Sequence, residues 1–98
     1  MIIDFHAHFH RVPGDPESLL AEADRQGVDK LCISSVSSYI PPAAEVADLN
    51  RMAYEGCRIA PDRFIPFTYV NPLHGAAALR MLDDGLEHGA RGIKLWVS

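Results

Sequence analysis

Two histidines separated by one residue, His6 and His8, are the side chains in this sequence best suited to chemistry. They follow a run of branched and aromatic residues at positions 1–5, which is typical of a β-strand. Residues two apart on a strand point to the same face and lie about 6.5–7 Å apart along it. Two imidazoles at that spacing can converge on one metal ion through bonds of about 2.0–2.1 Å. The pattern favours a metal site over two surface histidines at a strand end.

Strict alternation along this strand also assigns the neighbouring side chains. It puts Asp4 on the face of the two histidines and sends Ile3, Phe5 and Ala7 to the opposite face. From that position Asp4 could orient a histidine, as carboxylates often do around a metal. The alternative is an ordinary buried polar residue near the end of the sheet.

Short apolar runs alternate with longer amphipathic segments through the rest of the chain. After the first strand, further strands are predicted at residues 30–36, 64–70 and 92–97. The first helix is predicted to have Asp15 as its N-cap and Pro16 as its first residue, and to end at Gly27. Two more helices are expected at residues 43–60, before Pro61, and at residues 76–88.

This strand–helix alternation predicts an α/β fold with a parallel sheet and right-handed crossovers, the helices lying on one face. Four strands and three helices leave both edges of the sheet open. A complete (β/α)8 barrel of the TIM type needs about 250 residues. We therefore expect residues 1–98 to be one partial domain, the N-terminal half of such a barrel, truncated at its C-terminus.

The composition narrows the classes of partner. The net charge is −4 and there is no basic run, so a nucleic-acid partner is not expected. No segment has the length and apolarity of a membrane span, and the first residues do not resemble a signal peptide. Cys32 and Cys57 are isolated in sequence, which favours reduced, buried thiols. A cytoplasmic protein is the expectation.

Three segments together resemble a known family. Residues 3–8 (Ile-Asp-Phe-His-Ala-His) are similar to the opening strand of the amidohydrolase superfamily. Residues 60–64 with 70–72, and residues 89–95, resemble the amidohydrolase-related branch, which includes metal-dependent hydrolases and nonoxidative decarboxylases. The resemblance implies a (β/α)8 barrel, a small-molecule substrate and a divalent metal, usually zinc, bound by His6 and His8. It implies further ligands from strands five, six and eight of the barrel.

Lys94 falls at the end of the fourth predicted strand, where alternation turns it toward the barrel interior. In several binuclear members of the superfamily, a carboxylated lysine at a comparable place bridges two metals. The branch resembled here generally uses one metal, so substrate contact or support of the ligands is the favoured role for Lys94. A structural lysine in a polar layer of the barrel is the alternative.

Loops that follow strands form the catalytic face of a barrel, so their polar residues are candidates for substrate contact. His74 is such a candidate, for substrate contact or support of the site, and solvent exposure is the alternative for each residue taken singly. His88, at a helix C-terminus, is interpreted as a partner of the helix dipole. The other loop candidates are His10, Arg11, Tyr39 and Asn71.

These observations predict a metal-dependent hydrolase that uses metal-activated water on a carbonyl-type bond. The alternatives are a nonoxidative decarboxylase of the same branch, a phosphoesterase or nuclease of the TatD or PHP type, and a non-catalytic half-barrel. Residues 1–98 contain neither a third ligand from a later strand nor the family's base, so we expect little hydrolase activity from them alone. The open edges also predict self-association into a homo-oligomer.

Overall fold

The computed structural model describes residues 1–10 and 12–96, and it contains the predicted alternation of strands and helices. The strands are β1 (Ile3–Phe9), β2 (Lys30–Ser35), β3 (Phe64–Val70) and β4 (Gly92–Leu95). The helices are α1 (Asp15–Gln26), α2 (Ala43–Cys57) and α3 (Ala76–Glu87), and a 3-10 helix at Pro72–His74 follows β3. Of the residues predicted for the fourth strand, Val97 lies outside the described part of the chain.

The four strands form one parallel sheet in the order β1-β2-β3-β4, as predicted. β3 pairs with β2 through residues 64–66 and with β4 through residues 67–70. Pro66 is the last residue of β3 that pairs with β2, and the residues after it pair with β4. Its carbonyl oxygen accepts a hydrogen bond from the Arg91 N–H at 2.9 Å. The donor that proline lacks would point to this same side, where the pairing with β4 has not yet begun, so no hydrogen bond to β2 is lost.

The helices cover one face of the sheet, also as predicted. Ala23 of α1 and Ala53 of α2 are buried against the strands, and a Cβ at Gly85 of α3 would overlap the Thr68 side chain of β3. Strand and loop residues line the opposite face, which is the interior of the half-barrel. Its apolar side chains toward the amino ends of the strands are those of Ile3, Phe5, Cys32, Ile65 and Phe67.

Two helix boundaries differ from the prediction for identifiable reasons. Asp15 is not the N-cap of α1: Gly14 holds that position, and the Asp15 carboxylate accepts from the backbone N–H of His10 in the preceding loop. α2 ends at Cys57, three residues early, because the next N–H groups bond to carbonyls three residues back and tighten the chain into turns. Gly27, with φ 73°, closes α1 as predicted.

A glycine inside α2 makes close contact with β1. A Cβ at Gly56 would overlap the ring of Phe9, a fully buried side chain. The helix therefore approaches the strand more closely there than any larger residue would permit. The close packing explains why a residue with poor helix propensity occupies the last turn of this helix.

The Arg63 side chain forms hydrogen bonds to α1 and to the loop between α1 and β2, at the amino end of the sheet. Its Nη2 lies 2.7 Å from Asp24 Oδ1 and donates to the Val28 carbonyl oxygen at 3.0 Å. Its Nε donates to the Asp29 carbonyl oxygen at 2.6 Å. This part of the segment at residues 60–64, which contributed to the family resemblance, therefore has a structural role at the end of the barrel away from the histidines.

At the carboxyl end of the sheet, β2 and β3 are no longer paired, and a side chain bonds to the main chain of β3 instead. Asn50 of α2 donates to the Tyr69 carbonyl oxygen and accepts from the Tyr69 N–H, both at 2.8 Å. Asn50 and Tyr69 are both buried, so the amide takes the place of the strand partner that Tyr69 lacks on the side of β2.

Both cysteines are free and buried, as expected from the sequence. Burial raises the pKa of the Cys57 thiol to about 12. Within residues 1–10 and 12–96, none of the helices has the length and apolar character needed to cross a bilayer.

Candidate metal and substrate site

A β-bulge in β1 determines which way the candidate ligands face. Asp4 pairs with Leu31, yet Ala7 pairs with Ile33, so β1 carries one extra residue between them. Leu31, Ile33 and Ala7 belong to the helix-covered core, which puts His6 and His8 on the interior face. The strict alternation assumed from the sequence is therefore wrong upstream of the bulge.

Three side chains of β1 lie on a different face of the sheet from the one predicted. Ile3 and Phe5 line the interior of the half-barrel rather than the helix-covered face. The register places Asp4 on the side of the helices instead of beside the histidines. The Asp4 carboxylate accepts a hydrogen bond from the backbone N–H of His6, two residues further along the strand, at 2.8 Å. It fixes the main chain at the bulge, and so the direction of the strand at His6.

The two imidazoles converge, as the spacing predicted. His6 Nε2 and His8 Nε2 lie 2.9 Å apart, and the rings meet edge to face with centroids 4.8 Å apart. Both nitrogens can lie within about 2.0–2.1 Å of a single ion, because two such bonds together exceed that separation. The pair stands at the carboxyl end of β1, the end at which parallel α/β folds place their sites.

A residue of β2, Ser34, orients the His8 ring. Its Nδ1 lies 3.1 Å from both the carbonyl oxygen and the hydroxyl oxygen of Ser34. A carbonyl oxygen only accepts, so Nδ1 carries the proton and Nε2 keeps its lone pair. Burial lowers the pKa of His8 and outweighs the bond to Ser34, which raises it; the charges of His6, Lys94 and His10 lower it further. The neutral, metal-binding form of His8 is favoured.

Lys94 joins the pair from β4, on the interior face as predicted. Its Nζ lies 3.1 Å from His6 Nε2. A lysine ammonium donates and does not accept, so the His6 lone pair faces it. The Nε2 lone pairs of His6 and His8 therefore meet at one point beside a cationic side chain, on the far side of the sheet from the helices.

These nitrogens fit a divalent metal but do not complete its coordination. The Nε2 atoms of His6 and His8 lie 2.9 Å apart, close enough for one cation to bind both lone pairs. Among residues 1–10 and 12–96, no group of three His, Cys, Asp or Glu side chains is placed to hold an ion. The described chain thus offers two ligands, of the three that catalytic zinc sites usually draw from protein.

An open cavity of about 380 Å³ adjoins the histidines. Trp96 lines it and is 40% exposed, and the ring of Tyr39 from the loop after β2 stands edge to face with the indole, at a centroid distance of 5.8 Å. Its lining consists of His6, His8, Val36, Lys94, Leu95 and Trp96.

The remaining candidate residues lie away from the histidine pair or have structural roles. His74, in the 3-10 helix after β3, is half-buried with its Nδ1 lacking a hydrogen-bond partner, and it does not line the cavity beside the histidines. Asn71 caps that 3-10 helix, accepting from the Leu73 N–H at 3.0 Å. His88 donates from Nδ1 to the Asp84 carbonyl oxygen at 2.8 Å, at the end of α3. Arg11 lies outside the described residues.

Two residues of the site were not singled out from the sequence. Ser34 could have been found through its position, since it is a polar residue at the carboxyl end of a buried strand. Trp96 could have been found because it lies two residues after Lys94, so that alternation puts it on the same face, and because it is the one tryptophan of the chain.

Comparison with known proteins shows the fold. Solved structures that match include a 4-oxalomesaconate hydratase from Rhodopseudomonas palustris (TM-score 0.74, 17% identity, 95% of this chain and 40% of that one). A 2,6-dihydroxybenzoate decarboxylase from Rhizobium matches with a TM-score of 0.72 and 22% identity over 94% of this chain and 37% of that one. A protein described as an amidohydrolase II matches with a TM-score of 0.77 and 20% identity over 97% and 40%.

The chain therefore spans about two fifths of the length of these structures. The expected likeness to the amidohydrolase type of barrel is confirmed at the level of fold, with four parallel strands and three helices forming a half-barrel. No family model and no curated protein sequence matches the chain.

Proposed function

We propose that this chain carries the first metal-binding strand of a metal-dependent hydrolase of the amidohydrolase-related branch, acting on a carbonyl-type bond of a small molecule. The observation that carries the proposal is the convergence of His6 Nε2 and His8 Nε2, 2.9 Å apart, at the carboxyl end of β1. The fold shared with an amidohydrolase, a hydratase and a decarboxylase supports the enzyme class.

Each residue has a distinct task in this proposal. His6 and His8 would hold the divalent ion, zinc in our proposal, while Ser34 keeps the His8 ring in the tautomer that leaves Nε2 free. A bound ion of this kind lowers the pKa of water and polarises a carbonyl oxygen. Lys94 presents a positive charge to the same space and would bind an anionic part of the substrate.

The activity belongs to a larger assembly than the described residues. With two histidine ligands and no carboxylate lining the cavity among residues 1–10 and 12–96, the general base and at least one further ligand would come from elsewhere. We propose that further strands of a barrel provide them, in keeping with neighbours more than twice as long as this chain.

Nonoxidative decarboxylation is the second candidate, favoured by the fold shared with a 2,6-dihydroxybenzoate decarboxylase. The same histidines and Lys94 would then face a substrate carboxylate rather than a scissile bond. Release of carbon dioxide, against uptake of water into the product, would separate the two reactions. A TatD- or PHP-type phosphoesterase gains no specific support, because Lys94 is the single cationic side chain other than histidine that lines the cavity in the described part of the chain.

Calorimetric titration of the 98-residue chain with zinc tests the proposal. We expect one zinc ion to bind, weakly, and binding to be lost in His6→Ala and in His8→Ala. His88→Ala is the matched control, because His88 lies at the end of α3 and should leave zinc binding unchanged. A chain that binds no zinc, or binds it equally well without His6 and His8, would overturn the metal assignment and favour a non-catalytic half-barrel.

A further inference from the structure

We propose that the loop between β2 and α2, residues 36–42, is a lid that is closed when Tyr39 contacts Trp96 and opens when the backbone of Ile40 relaxes. This movement goes beyond the proposed function and does not require a bound metal. One unfavourable backbone conformation and one contact between aromatic rings, at adjacent residues of the loop, carry the proposal.

The backbone of Ile40 is in an unfavourable conformation. Its φ is 53°, and within residues 1–10 and 12–96 it is the one residue other than glycine with a positive φ. In this left-handed region the Cβ lies too close to the following carbonyl oxygen, so a β-branched residue is rarely found there. The next residue is Pro41, and a residue before proline is biased toward extended conformations. Ile40 therefore has a more favourable, extended conformation available to it.

The surroundings of Ile40 do little to compensate for this strain. Its side chain is 56% exposed, so little apolar packing holds the residue in place. Among the described residues, the main-chain groups of Ser37, Ser38 and Ile40 form no hydrogen bonds. A strained conformation persists only where neighbouring contacts impose it. The residues on either side of Ile40, which are Tyr39 and Pro41, must therefore impose it.

The loop is anchored at both ends and exposed in the middle. Pro41 is fully buried, and Val36 packs against the buried cluster formed by α2 and β3. Residues 37–40, between these two anchors, are all exposed. A segment with few buried contacts and few main-chain hydrogen bonds opens at low cost. The middle of the loop can therefore move without displacing β2 or α2.

The contact of Tyr39 with Trp96 holds the lid closed. The two rings meet edge to face with centroids 5.8 Å apart, a geometry typical of attractive aromatic pairs. Because β3 lies between β2 and β4, this contact joins the ends of two strands that are not paired. The two residues are nevertheless 54% and 40% exposed. One exposed aromatic contact opposed by one strained residue leaves the closed and open lid close in free energy.

The position of the lid indicates what its movement controls. Val36, at the base of the lid, and Trp96, its contact, both line the cavity beside His6 and His8. The closed lid covers one side of the indole, and the open lid uncovers it and widens the entrance on the side of β2. Opening of the lid therefore controls access to the histidines, as loop movements do in many enzymes.

Trp96 is the one tryptophan of the chain, so its fluorescence reports on the lid without added metal. The acrylamide quenching constant measures how accessible the indole is. Tyr39→Ala removes the contact that closes the lid, and the quenching constant should rise. Ile40→Asn should lower it, because asparagine tolerates the left-handed conformation and shifts the balance toward the closed lid by about five- to tenfold.

Ile40→Val is the matched control, because valine keeps the branched Cβ and with it the strain, so its quenching should equal that of the parent chain. The double variant Tyr39→Ala/Ile40→Asn separates the lid from a direct effect of residue 40 on the indole. Without Tyr39, relief of the strain has no contact to favour, and the double variant should be quenched like Tyr39→Ala alone. The amide spectrum of each variant checks that it is folded.

Equal quenching in Ile40→Asn, Ile40→Val and the parent chain would show that the loop is a fixed connection and would overturn the inference. An indole as protected in Tyr39→Ala as in the parent chain would do the same, as would protection by Ile40→Asn in the absence of Tyr39. These outcomes are independent of the zinc titration. A fixed loop leaves the metal assignment as it stands, and a chain that binds no zinc can still have a lid that opens and closes.

Discussion

His8 and Ser34 are joined across the first two strands by two contacts of equal length, 3.1 Å from Nδ1 to the serine carbonyl oxygen and to its hydroxyl oxygen. The carbonyl is part of the main chain and survives any substitution of the side chain. We therefore expect Ser34→Ala to reduce zinc affinity less than about threefold, well below the 10–100-fold typical when the partner of a ligand histidine is lost. Calorimetry on the variant measures this. A larger loss would make the hydroxyl the principal partner of His8.

The lowered pKa of His8 predicts a pH dependence with a definite sign. The folded chain disfavours the protonated ring, so the unfolded chain binds more protons below the ordinary value of 6.5. Stability is unaffected by His8 well above pH 6.5 and falls as the pH drops below it. The difference in free energy of unfolding between the parent chain and His8→Asn should therefore narrow or reverse on acidification. Urea unfolding at several pH values measures it, and a parallel dependence in both proteins would contradict the prediction.

Arg63 should prove to be a stabilising residue rather than a member of the site. Its three hydrogen bonds hold the loop before β2, and its side chain is 27% exposed. We expect Arg63→Ala to lower the free energy of unfolding by about 1.5–3 kcal/mol, and zinc affinity to be unchanged in the folded variant. Arg58→Ala, in an exposed turn, is the control and should cost less than about 0.5 kcal/mol. Equal losses in the two variants would remove the special role of Arg63.

Asn50 should be among the most sensitive residues outside the site. Its replacement by alanine leaves both the N–H and the carbonyl oxygen of Tyr69 buried without a partner. We expect Asn50→Ala to cost about 2–4 kcal/mol of unfolding free energy. Asn50→Asp retains an acceptor for the Tyr69 N–H but loses the donor, and it buries a charge, so it should be no better. Hydrogen exchange at the Tyr69 amide gives a local measurement, and unchanged protection in Asn50→Ala would contradict the assignment.

The order of elements was predictable because apolar runs and glycine or proline residues mark most of the strands and helices in the sequence. Gly27 ends α1 in a left-handed conformation, and the apolar runs that become β2 and β3 are buried as their composition indicates. The end of α2 was not predictable from Pro61 alone, since tight turns begin at Arg58, before the proline. The N-cap failed for a related reason, because the Asp15 carboxylate bonds to a loop residue instead of to its own helix.

The candidate site was predictable where a period of two applies and not where packing breaks it. His6 and His8 share a face, and Lys94 joins them across the half-barrel, because all three follow simple alternation near the carboxyl ends of their strands. The position of Asp4 was wrong because nothing in the sequence marks a bulge. The link between His8 and Ser34 depends on the register of β1 against β2, which arises from the fold as a whole.

Because β1 carries an extra residue between Asp4 and Ala7, the alternation of faces before this bulge is offset by one residue from the alternation after it. Ile3 before the bulge and Phe5 within it line the interior with apolar side chains. His6 within the bulge and His8 after it present their imidazoles to the same interior. In an unbroken strand, a one-residue insertion or deletion would turn every side chain to the wrong face. In β1 the bulge accommodates one such extra residue, and His8 still faces the interior. Ile3 and His6 therefore share the interior face although they are three positions apart, a spacing that would send them to opposite faces of a regular strand.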